Sequence, residues 1–136
     1  MAKLFNFPNA ISILRNSELV SNIDKIHIDE ISQRGFYKIR CSLLSAKYKL
    51  EIKFIKTSGE FIYSYQLFST QAVARWDNEP HFPNIKTFPH HFHDVSGAPF
   101  ESELTGHLEK DLKLVLSKVK GFLSTSPKDG EEKEDR

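Results

Sequence analysis

The sequence predicts an α+β fold. A four- or five-stranded antiparallel meander sheet, residues 25 to about 76, is expected to carry a short N-terminal helix and a long C-terminal helix packed on one face. Two observations lead there. Apolar residues alternate with polar ones through residues 36–43 and 47–55, the period of a half-buried strand. From Leu104 to Phe122 apolar residues instead recur every three or four positions, the period of an amphipathic helix.

Each element follows in order. After Pro8, Ile11, Leu14, Leu19 and Val20 have helical spacing, and proline suits a first helical turn, so a short helix is expected at about residues 8 to 20. The period becomes two at Ile26, and Gln33-Arg34-Gly35 ends the first strand. Tyr37, Ile39, Cys41 and Leu43 share one face of the second, and Tyr48, Leu50, Ile52 and Phe54 one face of the third. The short link Leu44-Ser45-Ala46 makes these two a hairpin. Thr57-Ser58-Gly59 turns into the aromatic run Glu60 to Phe68, and Ala72 to Trp76 suits a fifth strand. The last helix is expected near residues 101 to 123, with Glu101 and Glu103 early and Lys113, Lys118 and Lys120 late, complementing its dipole.

At 136 residues, 39% of them hydrophobic, the chain suits one compact domain over residues 1–123. Residues 124–136, almost without apolar side chains, read as a disordered charged tail. The 19 Lys and Arg nearly balance the 18 Asp and Glu. Three basic and five acidic residues lie beyond Ser126, which leaves the body a net charge of +3. That excess permits an acidic partner or RNA, but it is not the broad basic field of a DNA-coating protein. A single cysteine, Cys41, excludes an intramolecular disulfide and suits a reducing compartment, so the expected location is the cytoplasm. No apolar run has the length of a signal peptide or a membrane span.

The segment Arg75 to His93 gathers four of the six histidines and three of the six prolines into nineteen residues, with Arg75 and Asp77 beside them. Imidazole can donate a proton, accept one or bind a metal near neutral pH, so the segment is expected to be an ordered loop that holds a site. His27 and His107, isolated on regular elements, read as surface or packing residues.

Within that segment, Arg75-Trp-Asp-Asn-Glu-Pro-His81 and Thr87-Phe-Pro-His-His-Phe-His93 resemble the TumE family of toxin–antitoxin toxins. The family carries an Arg-aromatic-Asp-Asn-Ala-Pro-His stretch followed shortly by Thr-Phe-Pro-His-His and another His. This chain departs from that pattern with Glu79 where Ala is usual, Phe82 after the first His, and Phe92 where Lys is common. The motif covers residues 75–93, and the flanking strands and helix extend it loosely over residues 25 to 122. The resemblance implies a cytoplasmic toxin whose partner is a cognate antitoxin, often a helix-turn-helix protein. It points to Arg75, Asp77, Asn78, His81, His90, His91 and His93.

Three readings stay open. In the first, His81, His90, His91 and His93 include the acid and base of a metal-free ribonuclease. Arg75, with Arg40 or Lys53 from the polar sheet face, would then stabilise phosphate charge while Asp77 orients an imidazole. Asn78 belongs with the substrate-binding candidates, and Phe82, Phe88 and Phe92 either stack an unpaired base or pin the loop to the domain. In the second, Asp77, His81, His91 and His93 ligate a divalent metal ion. In the third, the loop is a rigid recognition surface of a non-catalytic toxin. Cys41 reads as a small buried apolar residue, and the oligomeric state is not legible.

Overall fold

The computed structural model describes residues 6–45 and 47–125. Its elements run α1 (Phe7–Arg15), β1 (Val20–Ile31), β2 (Arg34–Leu43), β3 (Lys49–Lys56), β4 (Phe61–Phe68), β5 (Ala72–Asp77), β6 (His91–His93), β7 (Pro99–Glu101) and α2 (Leu108–Thr125). The strands pair in sequence order, every neighbour antiparallel, which makes a meander.

The α+β class and the meander stand, but the sheet has seven strands rather than four or five. The extra two, β6 and β7, have three residues each, too few to display a period in sequence. The first helix ends at Arg15 rather than near residue 20, and β1 begins at Val20 rather than near residue 25, opposite Leu43. Asn6 caps α1 by accepting a hydrogen bond from the Asn9 amide at 3.1 Å.

The last helix starts at Leu108, not 101, because residues 99–101 pair with β6 and the chain then turns sharply. The buried Asp111 carboxylate fixes that turn. It accepts from the Thr105 amide and hydroxyl and from the Gly106 amide, each at 2.8 Å. Gly106 sits at φ +92°, where a side chain is strained, and a Cβ there would lie 3.1 Å from the Tyr63 hydroxyl. At the other end α2 takes in Ser124 and Thr125, two residues expected in the tail, and Ser124 Oγ donates to Lys120 O at 2.8 Å. The remainder of that tail, and Ala46 of the hairpin link, lie outside the described residues.

One face of the sheet is the core. Ile39, Cys41, Leu50, Ile52, Tyr65, Leu67, Ala74 and Trp76 pack beneath Ala10 and Leu14 of α1 and Leu112, Val115 and Val119 of α2. The other face keeps the polar residues of the same strands, and none of the core side chains from the two helices lies over it. Two cross-strand rows run over that uncovered face. One joins Arg40, Glu51, Gln66, Arg75 and His93, and the other joins Lys38, Lys53, Ser64, Asp77 and His91.

Candidate functional site

The β5–β6 ladder assembles the site. Arg75 pairs with His93, Trp76 with Phe92, and Asp77 with His91, and because side chains alternate along a strand these pairs face opposite ways. Arg75, Asp77, His91 and His93 stand on the uncovered face. Trp76 and Phe92 turn to the core side, with ring centroids 5.1 Å apart, and Phe92 stacks on Phe122 of α2 at 6.3 Å.

The centre is an ion-paired chain at the floor of an open pocket of about 400 Å³. Asp77 and His91 are each only 2% exposed. Arg75 Nε lies 2.7 Å from Asp77 Oδ2, His91 Nε2 lies 2.9 Å from Asp77 Oδ1, and the Glu79 amide donates to the same Oδ1 at 3.0 Å. A buried carboxylate is tolerable when surrounded by donors in this way. His91 Nδ1 faces Pro89 O at 3.2 Å, so both of its ring nitrogens meet oxygens. His93 Nδ1 faces Gly97 O at 3.0 Å; a carbonyl can only accept, so this nitrogen carries the proton and Nε2 keeps its lone pair in the neutral ring. The two imidazoles meet edge to face, with centroids 4.8 Å apart. Ligand atoms of Asp77, His91 and His93 all lie within 4.8 Å of one another, compact enough to converge on one cation.

The rim carries two further ionisable side chains, Glu79 and His81. His81 Nε2 contacts Glu79 Oε1 at 2.8 Å, and Glu79 Oε2 lies 3.7 Å from Arg75 Nη2. With 63% of its side chain exposed, His81 is the most accessible imidazole lining the pocket. Phe82 props the cluster, its ring edge-on to His91 at 4.9 Å and to His93 at 5.7 Å.

Not every expected residue joins the pocket. His90 turns away to Tyr63, whose hydroxyl lies 2.6 Å from its Nε2. Burial lowers the His90 pKa, opposed by the charge of Asp111, and burial holds Tyr63 far above the usual phenol range, so Tyr63 donates and His90 accepts. Asn78 is committed to the scaffold: it accepts from the Tyr63 amide and donates to Phe61 O, each at 2.9 Å, extending the β4–β5 pairing by a side chain. Phe92 belongs to the core side and Phe88 stands exposed outside the pocket lining. Arg40 and Lys53 share the uncovered face with Arg75, but Arg40 is held by Glu51 at 2.7 and 3.0 Å. Lys53 has no ion pair among the described residues and lies two strands, roughly 10 Å, from Asp77. Glu79 and Gln66 line the pocket as well, outside the site residues expected from sequence. Gln66 carried no signal there, whereas Glu79 was visible as the place where the motif departs.

Fold and site define a small α+β protein with an imidazole, carboxylate and guanidinium centre on the uncovered face of a meander. The chain belongs to the TumE toxin family, described as Toxin TumE, which matches residues 10–123. It is therefore the toxin component of a toxin–antitoxin system, and the family implies a cognate antitoxin as its partner. No curated protein and no solved structure matches the chain. Among the described residues, no helix is long and apolar enough to cross a membrane.

Proposed function

We propose that the toxin is a ribonuclease whose centre is the pocket between β5, β6 and the His81 loop. The observation that carries this reading is His93 Nε2, without a hydrogen-bond partner among the described residues, beside Arg75 at an open pocket. In the proposed reaction His93 Nε2 takes the proton of a ribose 2′-hydroxyl, whose oxygen attacks the adjacent phosphorus. The bond to the 5′-oxygen breaks, and His81, protonated and held by Glu79, gives that oxygen its proton. The products are a 2′,3′-cyclic phosphate and a 5′-hydroxyl. Arg75 offsets charge on the phosphoryl oxygens, while Asp77, itself held by His91, keeps Arg75 in place from below. Phe82 offers a ring edge to a base, and Lys53 extends positive charge along the sheet.

The toxin would act in the cytoplasm, where RNA and an unpaired Cys41 both belong. Its antitoxin is proposed to be a helix-turn-helix protein, as the motif resemblance implies. The test is cleavage of unstructured RNA by the purified chain. A single 2′-deoxy substitution at the scissile nucleotide should block cleavage, and His93→Ala should abolish both cleavage and growth arrest. A wild type that arrests growth without cutting RNA under any metal condition would replace this reading with inhibition by binding.

A second reading has its own observation. His91 and His93 each turn Nδ1 toward a main-chain carbonyl, the support that orients metal-bound imidazoles, and a ligand atom of each lies within 4.8 Å of the Asp77 carboxylate. A divalent ion on Asp77, His91 and His93, with His81 at the rim, would serve a metal-dependent nuclease or hydrolase. Cleavage that needs an added divalent ion and survives the 2′-deoxy substitution would select it.

A further inference from the structure

Strand β1 is twelve residues long and forms one edge of the sheet, with no strand on its outer side among the described residues. Such an edge presents a row of unpaired amides and carbonyls that invites another strand. Its side chains make it an unusual edge. Ile26 and Ile28 lie on the core side, opposite Ile39 and Tyr37, yet they are 41% and 52% exposed because the helices do not reach that far. On the uncovered side stand Lys25, His27 and Asp29, opposite Arg40, Lys38 and Phe36. Neither Lys25 nor Asp29 has an ion-pair partner among the described residues.

Read in either direction from His27, the strand is complementary to itself. We propose that the toxin forms a two-fold dimer by antiparallel pairing of β1 with β1 of a second copy, centred on His27. That register sets Ile26 against the partner's Ile28 on the core side, and Lys25 against the partner's Asp29 on the other, each pair occurring twice. From Lys25 to Asp29 even-numbered and odd-numbered residues keep to their own faces, so the two sheets join as one. The next residues outward, Asp24 and Glu30, would be a like-charged pair if they faced one another, but they do not. Asp24 is turned to Ser42 and Lys49 on the uncovered side beside a bulge, and Glu30 accepts from the Tyr37 hydroxyl on the core side. A second copy fits this edge better than an unrelated strand because charge and apolar positions match under one operation. An edge closed in this way also leaves both pockets, five strands away, open to substrate.

Sedimentation equilibrium of the full chain tests the proposal. The wild type should be a dimer, and Ile28→Lys a folded monomer with unchanged circular dichroism. Lys25→Asp should raise the dimer Kd about tenfold by placing two pairs of like charges across the axis, and Lys25→Asp combined with Asp29→Lys should bring it back. A chain that stays monomeric up to about 100 µM overturns the proposal. So does a dimer indifferent to Ile28→Lys, or a charge swap that fails to rescue. A monomeric toxin whose antitoxin complex is lost on Ile28→Lys would show that the antitoxin takes this edge, and would overturn self-pairing too.

Discussion

Replacing Asp77 with alanine separates what holds the site from what works in it. The carboxylate is buried and accepts three donors, from Arg75 at 2.7 Å, His91 at 2.9 Å and Glu79 at 3.0 Å. Removing one partner of a buried charge pair costs about 3–5 kcal/mol, because the other groups stay desolvated without it. Arg75 is one-third exposed, so water recovers its share. The expected cost is therefore near the lower end, about 3 kcal/mol. For a domain of this size that lowers Tm by about 12 °C. His93→Ala, by contrast, loses one hydrogen bond to Gly97 on a half-buried side chain and should cost about 1 kcal/mol. Both variants should silence the toxin. Urea and thermal unfolding followed by circular dichroism measure the two costs side by side. Equal losses of stability, or an Asp77→Ala protein melting within a couple of degrees of wild type, would refute the division between a supporting Asp77 and a working His93.

Other expectations rest on other residues. Cys41 is fully buried and burial pushes its thiol pKa up to about 12, so a thiol-specific reagent should label it at pH 8 only after denaturation. Prompt native labelling would contradict the β2 register. Glu79→Ala removes an acid 3.7 Å from Arg75 and should lower KM for RNA about two- to fivefold, read from initial rates; a raised KM would assign Glu79 to substrate binding. Gly106→Ala forces a side chain to φ +92° against the Tyr63 hydroxyl and should cost about 1–2 kcal/mol in urea unfolding, with toxicity retained at low temperature.

The parts of this molecule that a sequence shows are those with a long period. Tyr37 to Leu43 and Leu50 to Phe54 alternate long enough to reveal strands, and both bury the expected face. His91-Phe92-His93 is too short for that, and only its partner Arg75-Trp76-Asp77 makes it a strand. The chemistry was legible as a set of residue types, and its division was not. His90 and His91 are neighbours in sequence, yet the backbone sends one to Tyr63 on the core side and the other to Asp77. Asn78 looks like a ligand-binding amide and acts as a stretch of main chain. An imidazole oriented by Asp77 was expected, but it is the inaccessible one, so the accessible rings are His93 and His81.

The placement of Phe92 between Trp76 and Phe122 has a consequence during synthesis. Every candidate functional side chain has been made once His93 leaves the ribosome's active site, yet β6 is anchored from behind by a helix that comes last. A nascent chain that has not yet acquired α2 lacks Val115, Val119 and Phe122, and with them the apolar packing behind Phe92 that backs the β5–β6 pairing of His91 and His93. The cell that makes this toxin is thus exposed to it only after the final residues of the fold are in place, and premature termination anywhere before α2 should yield a harmless fragment carrying the whole motif.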